Sequence, residues 1–271
     1  MPHGPLGRAC YRAAVNVPSH APLEASWLGR IDYREAWDLQ RGLAAARADD
    51  RIPDQLLLLE HPAVLTIGRN GDERHVLASR GELAARDIEV IRVERGGEVT
   101  YHGPGQLVAY PILALSRRGL LLRPLVRALE AAMAATCAGF GVEAGRRDGH
   151  PGCWCEPDGD APRKIGALGI RVERGVTYHG IALNVAPDLA DFGLIDPCGM
   201  PGVASTSIVA ELDRAGHAAG ATLPGVDVAA AMFARALTAA LDAPLAGDGP
   251  PSADPSVGRS RLERLVAGQA A

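Results

Sequence analysis

The reactive chemistry in this sequence gathers around one thiol and one amine. Cys198 stands in LIDPCGMPG, where Pro197 and Gly199 turn the chain and display the sulfur instead of packing it. A thiol with an ordinary pKa of about 8.5 is mostly protonated at neutral pH, so one that attacks needs a cation nearby. Among the 28 Lys plus Arg residues there is a single lysine, Lys164. An ammonium gives up its proton under a modest change of surroundings and a guanidinium does not. A lone lysine in an arginine-rich chain is either a chance survivor or the mark of a position where a plain positive charge does not suffice. The two residues are 198 − 164 = 34 positions apart, so folding must bring them together.

A second feature is a phrase spelled twice. RVERGGEVTYHG ends at Gly103 and RVERGVTYHG at Gly180, with the histidines 179 − 102 = 77 residues apart. Two copies do not make a solenoid, which needs about three or more stacked units. Read as strands, the copies put Val99 and Tyr101, or Val176 and Tyr178, on one face. Thr100 and His102, or Thr177 and His179, take the other. Glycines at 96, 97, 103, 105, 175 and 180 remove side chains where a ligand or another backbone comes close. The arrangement fits a slot for a slender apolar chain; two ordinary strands with glycine turns is the plainer reading.

Other motifs carry less. HPGCWC, with His150, Cys153 and Cys155, lacks the second Cys or His pair that a zinc site needs, so no metal is expected. The helix-borne Cys137, like Cys10, reads as a small buried hydrophobe. There is no GxGxxG opening a helix, no GxxxxGK[ST] and no GxSxG elbow, which leaves dinucleotide, P-loop and serine-hydrolase sites without support.

The elements that must position these residues follow from periodicity. DYREAWDLQRGLAAARAD opens with an N-cap, Asp32, and repeats apolar residues at helical spacing. QLLLLE, AVLTIG, IEVIRV, EVTYHG and QLVAYPIL read as strands, and a helix runs from Leu122 to Gly139 with Pro124 in its first turn. A Gly-, Pro- and Asp-rich loop around HPGCWCEPDGDAP precedes two strands, KIGALGIRVE and VTYHGIALNV, joined at Arg174 and Gly175. VASTSIVAEL and VDVAAAMFARALTAAL supply later helices. Without a regular βαβ beat the class is α+β, helices packed on a mixed or mainly antiparallel sheet. Residues 1–25 read as a mobile arm, 26–242 as a single domain, and 243–271 as a poorly ordered tail with room for a short helix.

Composition narrows the setting. A chain of 271 residues, 47% hydrophobic, can bury a substantial core. A net charge of −4 gives no bulk attraction to nucleic acid or to anionic lipid. Pro and Gly interrupt the first residues and no apolar run approaches about 18, so neither a signal peptide nor a spanning helix is expected. Five cysteines, an odd number, suit a reducing, cytoplasmic setting.

Three segments in order, RGGEVTYHGPGQLVAY (95–110), KIGALGIRVERGVTYHGIALNV (164–185) and DPCGM (196–200), resemble the lipoyl(octanoyl) transferases of lipoate biosynthesis. The resemblance implies a biotin/lipoate protein ligase-like fold. It also implies that Cys198 carries the octanoyl group as a thioester, and that Lys164 lowers the thiol's pKa and handles protons. Substrate contacts would come from Arg95, Gly96, Gly97, Glu98, Val99, Thr100, Tyr101 and His102, then Ala167, Leu168 and Gly169, then Gly180, Ile181 and Ala182. The donor would be octanoyl-acyl carrier protein, whose phosphopantetheine brings the acyl group, with no cofactor and no ATP. The acceptors would be the lipoyl domains of 2-oxoacid dehydrogenase complexes and the glycine cleavage H protein. Arg117, Arg118, Arg123 and Arg127 offer a basic surface for an acidic carrier, or a solvated helix face. The segment from Arg146 to Arg163 and both termini extend beyond the family pattern. Two other readings remain at this point: an ATP-dependent lipoate or biotin protein ligase, which has no use for a nucleophilic Cys198, and a non-catalytic acyl-binding protein.

Overall fold

The computed structural model describes residues 22–196, 203–216, 225–242 and 251–268. In chain order the elements begin with β1 (Glu24–Arg30), α1 (Tyr33–Ala48), β2 (Gln55–Glu60), β3 (Val64–Ile67), α2 (Arg80–Ala85) and β4 (Glu89–Arg92). There follow β5 (Val99–His102), β6 (Gln106–Ile112), α3 (Leu122–Gly139), β7 (Gly145–Arg147), β8 (His150–Cys155) and β9 (Arg163–Glu173). The chain continues through β10 (Val176–Asn184), β11 (Ala204–Ser205), α4 (Ile208–Arg214), α5 (Val226–Ala240) and α6 (Pro255–Val266). A large sheet runs β1-β2-β6-β10-β9-β8-β7, with β11 beside β9, and a small one runs β4-β3-β5. The pairs β1–β2, β3–β4 and β9–β11 are parallel and the other pairings antiparallel, so the fold is α+β with mixed sheets.

The large sheet is covered on both faces, which is why β2 reads as an unbroken apolar run. Leu56 and Leu58 pack with α3 and α5, while Leu57 and Leu59 pack with α1 and α6. The Asp32 side chain caps α1 by accepting from the N–H groups of Arg34 and Glu35. Between β9 and β10, Arg174 and Gly175 take φ of 49° and 78°, the left-handed pair of a tight hairpin turn. A buried Asp54 ties the end of α1 to the link between β6 and α3. It accepts from Arg47 Nε at 2.6 Å and from Ala114 N–H at 3.0 Å, and it pairs with Arg118. Arg117 pairs with Asp50. The buried Arg118 thus serves the fold, whereas Arg117 is exposed, as are Arg123 and Arg127 on α3.

Four expectations need correction. HPGCWC is not loop but strand β8, because pairing with β9 lets Cys153 and Cys155 enter the core and buries Trp154. Helix α2 was not anticipated; its signal was the Ser79/Glu82 capping box. The expected N-terminal arm stops short of residue 25, since Glu24 already donates to Asp54 O at 3.1 Å and β1 begins there; residues 1–21 lie outside the described residues. The expected tail contains a docked helix. In α6, Leu262 is fully buried, and Arg259 donates to the carbonyls of Leu28 (3.0 Å) and Arg30 (2.6 Å). Arg261 reaches Ser26 Oγ and Gln55 Oε1, each at 2.8 Å. The short helix for which the sequence left room is this one; its docking against β1 was not anticipated.

Truncating Leu262 to Ala is expected to destabilise the protein by about 2–4 kcal/mol, the cost of a core cavity. Urea unfolding of the full chain measures it; a change below about 0.5 kcal/mol would mean that α6 does not complete the core.

Candidate active site

The two VTYH copies lie in different sheets, β5 in the small one and β10 in the large one, and a slot runs between them. Its apolar wall comes from Val99, Ala167, Leu168, Ile181 and Ala182. Thr100, His102, Glu98 and Gly97 line it from the β5 side, and Lys164, Gly169, Gly180 and His179 from the β9–β10 side. Arg95, Tyr33 and Tyr110 complete it, around a cavity of about 50 Å³. Lys164 and Gly169 are five residues apart on one strand, so the slot extends along roughly 16 Å of β9.

Glycines set its far end. The Gly96 N–H donates to Ile170 O at 3.2 Å, bringing the 95–97 loop onto β9. A Cβ at Gly169 would lie 2.6 Å from Gly96 O, so any side chain there would push the two sheets apart. Arg95 is locked at this crossing, donating to Thr66 O at 2.6 Å, to Thr66 Oγ1 and to Gly96 O. Glu98 Oε2 lies 2.8 Å from His75 Nδ1, an ion-pair separation off the line of a hydrogen bond.

Three histidines gather beside this end, all buried. His61 Nδ1 is 2.8 Å from Ile31 O, which can only accept, so Nδ1 carries the proton and Nε2 accepts from the Tyr110 hydroxyl at 2.8 Å. His102 Nδ1 donates to Gln106 Oε1 (2.8 Å); Gln106 Nε2 reaches Asn184 Oδ1 (2.9 Å), and Asn184 Nδ2 reaches Thr206 O (2.8 Å). Burial holds all three pKa values down, to about 4 for His61 and His179 and about 3 for His102. The slot therefore carries neutral imidazoles at neutral pH. Burial also pushes the Tyr33 hydroxyl up to about 12, keeping it protonated.

His179 breaks the alternation. The register sets it opposite Pro111, which has no N–H for the ladder, and His179 takes φ of 56°. Its own N–H goes to Gln40 Oε1 at 2.8 Å. The ring then stacks on Tyr178 at 5.0 Å instead of facing away from it. Both ring nitrogens are buried without a hydrogen-bond partner, and Nε2 is 3.9 Å from Glu94 Oε1.

Most of the expected contact residues meet in this one slot, and two do not line it. Gly96 supports it from behind through its backbone. Tyr101 faces the small sheet's core, donating to Asp191 Oδ2 at 2.8 Å and meeting the Phe192 ring edge-on, because its neighbours His102 and Thr100 take the slot face. Tyr33, Tyr110 and His179 were not anticipated as slot residues. Tyr33 follows the α1 cap directly, a position that offered a signal; for His179, only its place opposite a strand proline did.

Lys164 marks the other end, with Nζ 5.2 Å from the centre of the Trp154 ring. Its backbone carbonyl accepts from Thr206 N–H at 3.0 Å, and Ser205 of β11 pairs beside it. A recess adjoining the slot is lined by Lys164, Phe192 and Ser205. Cys198 lies outside the described residues, as does Cys10. The described residues flanking it are tied down: Asp196 N–H donates to His75 O at 2.8 Å, and Ile195 bridges to Val76. Cys153 and Cys155 face the core, and among the described residues no group of three or more His, Cys, Asp or Glu side chains could hold a metal ion.

Comparison with known proteins adds an independent line. Residues 32–240 match the family model described as the lipoyl protein ligase A/B catalytic domain. An octanoyltransferase from Acidobacterium capsulatum is 50% identical over 193 residues, covering 68% of this chain and 78% of that protein. One from Chloroflexus aurantiacus is 48% identical over 194 residues, covering 71% and 86%. Among solved structures, a putative lipoate protein ligase from T. acidophilum with bound lipoic acid superposes with a TM-score of 0.60 at 13% identity, covering 91% of this chain and 93% of the other. Lipoate-protein ligase A bound with ATP gives 0.57 at 14% identity, covering 93% and 100%. These two likenesses concern the fold.

The neutral histidines have a measurable consequence. Unfolded histidines titrate near 6.5. Above that pH both states are neutral and stability is full. As pH falls from 6.5 towards 4 the unfolded chain takes up protons that the folded one refuses, so stability drops by about 1–2 kcal/mol per histidine at pH 5. Denaturant midpoints at pH 7.5 and 5.0 test this, and His102→Gln is expected to flatten the dependence.

Proposed function

Because this chain belongs to the lipoyl protein ligase A/B catalytic-domain family, and within it to the octanoyltransferases, we propose that Cys198 is the nucleophile of a two-step octanoyl transfer with Lys164 as its proton partner. The protein is an acyltransferase of protein lipoylation. In the first step the Cys198 thiolate attacks the octanoyl thioester on the phosphopantetheine of acyl carrier protein. The carbonyl carbon gains the enzyme's sulfur and loses the carrier's, which leaves as a thiol after taking a proton. In the second, the neutral ε-amine of a lysine in a lipoyl-accepting domain attacks the acyl-enzyme. An amide forms, the Cys198 sulfur departs, and the amine's surplus proton passes to Lys164.

Thioester exchange is nearly balanced and amide formation is downhill, so the reaction needs no ATP and no cofactor. The acceptors are the lipoyl domains of 2-oxoacid dehydrogenase complexes and the glycine cleavage H protein. Among the described residues no helix is long and apolar enough to cross a membrane, and we assign the reaction to the cytoplasm, where carrier and acceptors meet.

The observation that carries this reading is Lys164 at the head of an apolar slot of acyl length. An eight-carbon chain extends about 9 Å by its C–C bonds of ~1.5 Å, shorter than the roughly 16 Å of β9 that lies along the slot. Phe192 and Ser205, on either side of Cys198 in sequence, line a recess with Lys164, which supports bringing thiol and ammonium together. The described thiols suit the task poorly. Cys153 is fully buried. A hydrogen bond with Cys153, then burial, pushes Cys137 far up, and burial pushes Cys155 up to about 12. A ligase reading draws on structures only 13–14% identical, whereas the 48–50% identical relatives are octanoyltransferases.

Incubating the protein with octanoyl-acyl carrier protein, without ATP, is expected to add one octanoyl group to its intact mass, and Cys198→Ser to abolish the adduct. Lys164→Met is expected to slow transfer by about 10²–10⁴-fold. Absence of the adduct, with transfer appearing only when ATP and free octanoate are supplied, would overturn the proposal.

A further inference from the structure

We infer that Trp154 is a positioning residue for the transfer, its indole face holding the Lys164 ammonium at the head of the slot; this rests on the role given to Lys164 above. Trp154 and Lys164 are cross-strand partners between β8 and β9, and Nζ stands 5.2 Å from the ring centre. An ammonium at that distance is attracted by the negative face of the ring, and more strongly where water is excluded. Trp154 is only 1% exposed and Lys164 is half-buried, so the contact is partly shielded from water. The indole is one of the contacts of Lys164, and it restrains a side chain that otherwise carries much rotamer freedom.

The surrounding hairpin sets the indole and the lysine stem on one face. The neighbours of Trp154, Cys153 and Cys155, turn to the opposite face and join the core under α3. Gly152 takes φ of 128°, and a Cβ there would stand 2.5 Å from Gly166 O, a backbone contact that requires glycine, and 3.2 Å from Lys164 Cε, so the lysine stem passes close beside it. The buried Glu130 of α3 fixes that glycine, accepting its N–H at 3.0 Å and Arg146 Nε at 2.8 Å. Trp154 Nε1 donates to His150 O at 3.0 Å, and the Arg147 guanidinium lies 5.5 Å from the same ring, so the indole is held from within the hairpin. A proton donor on a four-carbon stem is thereby confined to one location, which proton transfer over hydrogen-bond distance demands.

The single lysine makes the test direct. Full-length protein grown with isotope-labelled lysine yields one lysine side-chain signal in NMR. The ε-methylene protons of Lys164 are expected well upfield of free lysine, from the ring current of the indole. They are expected to return towards the free position in Trp154→Leu and to lie between in Trp154→Phe. In octanoyl transfer, Trp154→Leu is expected to lower kcat about tenfold while KM for the octanoyl thioester stays within about twofold, because Trp154 does not line the slot. Trp154→Phe is expected to recover much of the rate. A native signal at the free-lysine position overturns the proposal, as does a folded Trp154→Leu with native kcat, or a loss confined to KM. If Trp154→Leu does not fold, the native spectrum and the Phe variant decide. The lysine signal needs no turnover. An upfield native signal in a protein that transfers no octanoyl group therefore overturns the functional reading, and is told apart from a misplaced lysine.

Discussion

Everything in the slot depends on two backbones being allowed to touch. Where the 95–97 loop crosses β9, Gly96 bonds to Ile170 and leaves no room for a side chain at Gly169. That crossing ties the small sheet to the large one at a fixed separation. The gap between β5 and β9–β10 is then narrow, deep and lined from both sides. Of the doubled phrase, the first copy lines the gap through Arg95, Gly97, Glu98, Val99, Thr100 and His102, whereas the second reaches it only with His179 and Gly180, where β10 enters the gap.

The same constraint sorts the chemistry into two ends. Beside the crossing are polar groups held neutral by burial: His61, His102 and His179, with Tyr33 protonated. His61 and His102 complete hydrogen bonds and His179 makes none through its ring, so the formal charges lining this end belong to Glu98 and to Arg95, whose guanidinium is occupied with Thr66 and Gly96. The other end holds a cation whose backbone is pinned by Thr206 and whose stem passes Gly152. A chain of side-chain hydrogen bonds from His102 through Gln106 and Asn184 to Thr206 links the two ends mechanically.

Much of this was legible in the sequence, and the gaps have physical reasons. Helix α1 announces itself by its Asp32 cap and periodicity, α3 by periodicity with Pro124 in its first turn, and the β9–β10 hairpin by alternation about a glycine turn, all of which are local. The contact segments were legible because glycine and alternating side chains mark a gap between strands. Strand β8 was not, since HisProGly looks like a turn and only pairing with β9 makes it extended. Nor was His179, whose backbone is decided by a proline on the neighbouring strand and a glutamine on α1. Tyr101 was assigned to the slot for standing inside a motif, although alternation alone would have sent it the other way. Cys198, the residue most clearly marked by the sequence, lies outside the described residues.

The scarcity of lysine has a further consequence. An enzyme that carries activated acyl groups and delivers them to ε-amines is exposed to its own reagent, because any lysine on its surface competes with the intended acceptor. This chain offers one such amine in 271 residues, half-buried and lying against an indole. Its exterior positive charge is arginine, which does not acylate under these conditions. Self-modification is thus limited by composition before any selectivity of the active site comes into play.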